Sequence, residues 1–309
     1  MNNFWQKIDK PILALAPMAG FTDFAFRQIC ADWGADVAYS EMANVTALNY
    51  QPKKTLEMLG LAPQGSYYVV QLFGSKPEEF KKTIKVVESK IKPDGIDINF
   101  GCPVPKVMKA GAGAELMKDL ELSREIIKET IKISQLPVSI KIRTQAGEVN
   151  AWDFCKNVED LDIKAIMIHG RSLAQGFQGE VNFEFIEKIQ KNFPGVVLAN
   201  GGINNLTQAQ EALEKTDAQG LGLARGCLGR PWLFEEIKQE EVKKKSREEI
   251  FQIAWQHALL TQKHKGEAGI IELRKHLPWY IRGLEGAKNL RQQLVRIKGL
   301  KGIKNIFDF

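Results

Sequence analysis

Cys102 stands in the segment Asn99-Phe100-Gly101-Cys102-Pro103, where glycine and proline flank the thiol and hold it in a rigid turn. A free thiol titrates near about 8.5, so around neutrality it is mostly protonated and can donate a proton. As a nucleophile it would need a base, and its own motif supplies no histidine. The following stretch, VPKVMKAGAGAELM, has enough glycine and alanine for a loop that moves over the thiol. Cys30, Cys155 and Cys227 fall in or beside expected helices and read as small core residues. A second centre of chemistry is SIKIR. Lys141 and Arg143 alternate with Ile140 and Ile142, so both cations leave a strand on one face. Cations aimed into an interior are costly unless something anionic or electron-rich meets them.

These groups need a scaffold. The first 230 residues alternate short apolar runs with amphipathic stretches. The runs predict strands at Ile12–Ala16, Val37–Tyr39, Tyr68–Gln71, Ile96–Asn99, Val138–Ile142, Ala165–His169, Val196–Ala199 and Gly220–Leu223. Helices are predicted between them, at Thr22–Trp33, Pro77–Val87, Leu122–Ser134, Phe183–Gln190 and Leu206–Leu213. Continuous apolar strands, each followed by a helix, indicate a parallel sheet covered on both faces. Eight such units match an α/β fold of the (β/α)8 TIM-barrel class, for which about 250 residues is typical. A doubly wound sheet is the competitor, but no G-x-G-x-x-G occurs anywhere in the chain.

In such a barrel the C-terminal strand ends form the active face. Walking them in order gives Pro17-Met18-Ala19, Glu41, Gln71, Asn99 with Cys102, Lys141 with Arg143, and His169 with Arg171. Asn200-Gly201-Gly202 and Arg225 complete the ring. Every end carries polar groups or glycine-rich backbone, as a site for a large, polar, phosphorylated ligand requires. The phosphate belongs at Gly201-Gly202, where backbone N–H groups can approach closely, with Arg225 adding a fork of donors. A flavin fits the cations, because its reduced form carries negative charge near N1 that Lys141 would stabilise. Gln71 can both donate to and accept from a ring edge. No second histidine or carboxylate sits at ligand spacing from His169, so no metal is expected.

After Pro231-Trp232 the pattern is helical throughout, which divides the chain into a barrel domain, 1–237, and a small all-helical domain, 238–309. Ser246-Arg247-Glu248-Glu249 reads as a capping box. Further helices are expected around 270–284 and 287–298, with Lys275, Trp279 and Arg282 sharing one helix face. From Lys238 onward there are 16 Lys and Arg against 8 Asp and Glu, a net of +8, whereas residues 1–237 carry 27 against 29. That asymmetry points to a polyanionic partner for the tail. The chain lacks a run of about 18 apolar residues and a signal-like N-terminus, and its four cysteines form no CxxC pair. The expectation is a cytoplasmic protein, and a monomeric one, since nothing in the sequence demands more.

The segments LAPMAGFTD, VVQLFG, DINFGCPVPKVMKAGAGAELM, SIKIR, IHGRS, LANGGI and ARGCLGRPW, in this order, resemble the tRNA-dihydrouridine synthases. The resemblance continues into the tail through RKHLPWYIRGL, which is most similar to the bacterial B-type group. It implies an FMN-containing barrel with a C-terminal helical tRNA-binding domain. Pro17, Met18 and Ala19 would line the flavin, Gln71 and Lys141 would contact its ring, and His169, Asn200, Gly201, Gly202, Ala224 and Arg225 would hold ribityl and phosphate. Cys102 would be the proton donor. Asn99 and Arg143 would face the uracil, with Arg171 on the same substrate side, while Arg274, Lys275 and Arg282 would meet tRNA phosphates. The last phosphate motif is usually Gly-Arg. Here it is Ala224-Arg225, and alanine keeps the N–H but restricts the backbone.

The implied reaction is reduction of the uracil C5=C6 bond, with hydride from flavin N5 to C6 and a proton from Cys102 to C5. NADPH would reduce the flavin from the same open face. Two other readings use the same residues. A flavoenzyme of a free small molecule, like the dihydroorotate dehydrogenases, would leave the +8 tail without a purpose. A non-catalytic tRNA-binding protein would have no need of the cofactor contacts and Cys102.

Overall fold

The computed structural model describes residues 3–50 and 52–308. Eight parallel strands close into a barrel: β1 (Ile12–Leu15), β2 (Val37–Tyr39), β3 (Tyr67–Phe73), β4 (Gly95–Asn99), β5 (Val138–Arg143), β6 (Ala165–His169), β7 (Val196–Asn200) and β8 (Gly220–Leu223). Sequence neighbours are spatial neighbours. β8 returns to β1 through Ile12↔Gly220, and β2 joins β3 through Val37↔Tyr67. All eight predicted strands form, with ends shifted by two residues at most.

Strand alternation sorts the apolar side chains into two layers. Leu13 and Leu15 point outward under the helices, whereas Ile12 and Ala14 point inward with Tyr39, Val69, Met167 and Leu198. A Cβ on Gly222 would lie 2.7 Å from Met167 Sδ, so the glycine in β8 gives that methionine the space it occupies. This inner layer forms the floor beneath the strand ends.

The surrounding helices are Phe24–Asp32, Pro77–Lys90, Leu120–Ile133, Phe183–Gln190 and Leu206–Thr216, all at predicted positions. Asp23 caps the first, its Oδ1 accepting from Phe26 N at 3.0 Å. The hydrophobic pattern does not anticipate four others: Val45–Tyr50, Pro52–Leu59, Pro105–Lys109 and Ala151–Asn157. The last has seven residues, barely two turns, and its start is set locally by the Asn150 side chain accepting from Trp152 and Asp153 N–H. Helix Leu233–Gln239 runs across the 237–238 junction and stops at Glu240 in the left-handed conformation.

The capping box forms as expected, Ser246 and Glu249 each accepting from the other's backbone N–H. It opens a helix from Arg247 to Leu273, interrupted at Gly266 (φ 61°). Beyond it the expected pattern needs correction. Residues 274–286 form turns around a single helical turn, Leu277–Tyr280, and a further helix, Leu300–Phe307, follows Ala287–Leu294. Pro278 and the positive-φ Gly283 and Gly286 break the helical period there. Lys275, Trp279 and Arg282 therefore do not share a helix face. The tail packs a core of its own, including Ile253, Leu273, Leu294 and Phe307, and adds Ile29 and Trp232 from the barrel. A Cβ on Gly229 would meet Trp279 C at 2.1 Å, so barrel and tail touch main chain to main chain. Among the described residues no helix is long and apolar enough to cross a membrane.

Candidate active site

The strand ends surround a cavity of about 440 Å3. Pro17, Met18 and Ala19 line it, as do Cys102 and the glycines after β7. Four cations line it: Lys141, Arg143, Arg171 and Arg225. No carboxylate does, among the described residues. A cavity built this way is short of negative charge, and its ligand has to supply it.

The cations are held by different means. Lys141 Nζ donates to Asn200 Oδ1 at 3.1 Å, and Asn200 Nδ2 donates to Gly222 O at 2.7 Å. Burial, with Arg143 next in importance, brings the Lys141 ammonium down to about 8. Arg143 is almost wholly buried. Its Nε donates to Gly101 O at 2.7 Å, and its Nη1 reaches Ser172 O, Gly176 O and His169 Nδ1 at 3.0–3.1 Å. A guanidinium only donates, so His169 Nδ1 accepts and the imidazole proton sits on Nε2. Burial first, then the neighbouring cations, hold His169 neutral, with its pKa about 2. Its Nε2–H lies beside Gly201, where a Cβ would come within 3.2 Å of that nitrogen.

Gly201 and Gly202 adopt φ of 111° and 76°, conformations that L side chains avoid. Ala224 has φ −122° and ψ −109°, outside the left-handed region and outside the helical and extended regions as well. Arg171 Nε is tied to Gly179 O at 2.8 Å, and Arg225 lies exposed under the Phe177 ring at 4.6 Å. Backbone N–H groups at two glycines, a nearby guanidinium and a buried lysine suit a phosphorylated, electron-rich cofactor such as a flavin.

Cys102 is 9% exposed. Burial pushes its thiol up, which outweighs the opposing pull of the Val104 backbone, Arg143 and Lys141, and keeps it protonated at neutral pH. The following stretch is exposed at residues 104–106 and 109–110 and packed at its far end. Ala112 and Ala114 are buried, and a Cβ on Gly113 (φ 64°) would lie 2.8 Å from Cys102 O. Its glycines serve tight turns and close approach. Asn99 is spent on the same turn: Oδ1 accepts from Gly101 N and Cys102 N, while Nδ2 donates to Gln71 Oε1 and reaches Met42 Sδ. All four of its hydrogen-bonding positions are used inside the protein, and its side chain also lines the cavity.

Residues 14–308 match the model of a family described as Dihydrouridine synthase (Dus). The chain belongs to the dihydrouridine synthase family. Curated relatives include the tRNA-dihydrouridine synthase B of Pasteurella multocida, 32% identical over 90% of this chain and 86% of the relative. The protein of the same name from Pseudomonas aeruginosa is 33% identical over 93% and 88%. A probable tRNA-dihydrouridine synthase 1 of Synechocystis is 30% identical over 95% and 84%. Among solved structures, histamine dehydrogenase from Rhizobium sp. 4-9 aligns with a TM-score of 0.58 at 11% identity, covering 81% of this chain and 49% of that one. The amine oxidase HisD from Pseudomonas geniculata N1 gives 0.56 at 14% identity, covering 74% and 47%. That likeness is one of fold alone.

In this dihydrouridine synthase family member the tail completes the mouth. Trp279 lines the cavity, with Arg282 at 5.9 Å from its ring centroid, and Lys275 Nζ lies 5.8 Å from the centroid of Phe21. Arg274 is placed differently: Nε donates to Ile297 O at 2.7 Å, and Nη2 donates to the same oxygen. It braces the tail. Phe177, Phe21 and Met42 also line the cavity, and a reading of strand ends does not find them. Phe21 falls within the segment LAPMAGFTD, and Phe177 stands between Gly176 and Gly179 in the loop that follows β6.

Proposed function

We propose that this chain is an FMN-dependent, NADPH-driven tRNA-dihydrouridine synthase acting in the cytoplasm as a monomer. The observation that carries the reading is the cavity with four cations, no carboxylate and one protonated thiol at its rim. Family membership supplies the substrate class.

Bound FMN, with NADPH as reductant, would supply hydride chemistry for C6 of the uracil. The protein's residues do the rest. Arg225 and the backbone N–H groups of Gly201, Gly202 and Ala224 would bind the phosphate, and Arg171, expected on the substrate side, lies beside both glycines and would join them. Lys141, fixed by Asn200, stabilises negative charge on the ring, and neutral His169 offers its Nε2–H beside Gly201. Cys102 holds the proton for C5 in a turn that Asn99 and Arg143 keep in place. Arg143 Nη2, which has no hydrogen-bond partner among the described residues, is the donor left for a uracil carbonyl. The target base must leave its stack to reach this depth, and the basic tail binds the surrounding RNA while it does. Lys275 and Arg282 stand at the mouth where the flipped nucleotide enters.

The test is to purify the protein, record its flavin absorption and identify the released cofactor. It is then incubated with NADPH and tRNA from a strain lacking dihydrouridine. Release of FMN and formation of dihydrouridine at defined positions are the expected results. A colourless protein that FMN cannot reconstitute, or one that reduces a free pyrimidine in preference to tRNA, overturns the reading.

A further inference from the structure

Asp97 lies in β4, fully buried, and is not among the residues lining the cavity. Its Oδ1 accepts from Ser139 Oγ at 2.7 Å and its Oδ2 from Gln71 Nε2 at 2.8 Å. The other end of the Gln71 amide, Oε1, accepts from Asn99 Nδ2 at 2.8 Å. Asn99 Oδ1 then accepts from Cys102 N at 2.9 Å and Gly101 N at 3.1 Å. The chain of bonds thus runs from a carboxylate below the cavity to the backbone of the thiol turn, through side chains that are nearly or wholly buried.

A relay of this kind has a direction. Each carboxamide has a donor end and an acceptor end, and either amide could be rotated by half a turn without changing its shape. An ionised carboxylate only accepts. It therefore requires Nε2 from Gln71, which turns Oε1 toward Asn99, which in turn directs Oδ1 at the Cys102 N–H. Reversing any link would set donor against donor in a buried site, where water cannot satisfy the group left over. Burial pushes the Asp97 carboxyl up to about 6, so at neutral pH it remains ionised and the direction is kept.

We propose that Asp97 is a positioning residue that sets the polarity of the Gln71–Asn99 relay and thereby fixes the turn carrying Cys102. The role deepens the proposed function, and rests on it only for the reaction that Cys102 serves.

The test compares Asp97→Asn with Asp97→Leu in the full-length protein. Both remove the charge at similar volume, but only asparagine keeps an oxygen for Gln71. Two quantities are read: the rate at which iodoacetamide alkylates Cys102, followed on the peptide that contains it, and single-turnover formation of dihydrouridine in tRNA. A reacting group displaced by about 1 Å can lose about 10²-fold in rate, so Asp97→Leu should slow reduction by about that factor and alkylate Cys102 about tenfold faster. Asp97→Asn should stay close to the wild-type protein in both. Equal effects in the two variants would show that charge, and not the acceptor, matters, and would overturn the proposal. So would wild-type alkylation in a folded Asp97→Leu protein. Should that variant fail to fold, Gln71→Leu breaks the relay one link on without touching a buried charge, and wild-type alkylation there overturns the proposal equally. A wild-type protein that forms no dihydrouridine defeats the proposed function, while the alkylation comparison still decides the relay.

Discussion

Lys141 Nζ donates to Asn200 Oδ1 at 3.1 Å, so the cation of β5 is braced by the residue that ends β7. Burial and Arg143 bring that lysine down to about 8, so in the ligand-free protein it loses its proton as pH rises through that value. An anionic ligand binds the charged form better, so FMN affinity should fall as pH rises through about 8. Lys141→Met should bind FMN more weakly and lose that step. Quenching of flavin fluorescence in a titration across this pH range reads both effects, and a flat wild-type profile contradicts the assignment.

Cys102→Ala should bind tRNA and accept electrons from NADPH as before, yet form little dihydrouridine. General acids contribute about 10²–10⁴-fold, which sets the expected loss. Pre-steady-state flavin reduction and oxidation measure the two halves separately. Reoxidation by tRNA within a few-fold of the wild-type rate would mean that water or another group protonates C5.

The tail separates binding from bracing. Lys288, Arg291, Lys301 and Lys304 are exposed, and among the described residues none of them forms an ion pair. Replacing each by alanine, like Lys275→Ala and Arg282→Ala, should weaken tRNA binding. The slope of log K against log salt should flatten by about 1 for each phosphate that the variant no longer neutralises. Arg274→Ala should instead lower stability by about 1.5–3 kcal/mol, the usual worth of a charged hydrogen bond, because it frees Ile297 O. Denaturant melts and filter binding at several salt concentrations distinguish the two outcomes.

Acid should loosen the joint between barrel and tail. His257 and His276 are buried there beside Asp23 and Lys265; His257 Nδ1 lies 3.1 Å from Tyr280 Oη, and neither ring nitrogen of His276 has a partner among the described residues. Burial foremost brings His257 down to about 4 and His276 well below its usual value. Free histidine titrates near about 6.5, so between those values the unfolded chain holds more protons. Stability is then full above about 6.5 and is lost as pH falls toward 4, by on the order of 3 kcal/mol for His257 alone. Melting temperatures at neutral and mildly acidic pH should show the loss, and His257→Gln should reduce it.

The barrel was legible because most of its strands are short, largely apolar runs, each followed by an amphipathic helix, a pattern that burial on both faces explains. Lys141, Arg143 and Cys102 were legible because strand alternation and a rigid turn fix where such residues point. Side-chain hydrogen bonds were not. Nothing in the spacing of Gln71, Asn99 and Arg274 tells whether an amide or guanidinium faces a ligand or a neighbouring carbonyl. The tail was read less well than the barrel, since Pro278 and two glycines interrupt a period that Lys275, Trp279 and Arg282 otherwise imitate. Phe177 and Phe21 came from loops, where hydrophobic pattern carries no positional information.

The excess of positive charge lining the cavity also bears on how long the protein lasts. Like charges crowded into one cavity repel, so the cofactor-free form should be the less stable one. A ligand that binds only the folded state adds RT ln(1 + [L]/Kd), about 2.7 kcal/mol at a hundredfold excess over Kd. Folded lifetime then depends on flavin supply. In cells starved of flavin, proteolysis of the cofactor-free chain should lower its abundance before any loss of messenger, and added FMN should raise the melting temperature of the stripped protein in proportion to the logarithm of its concentration.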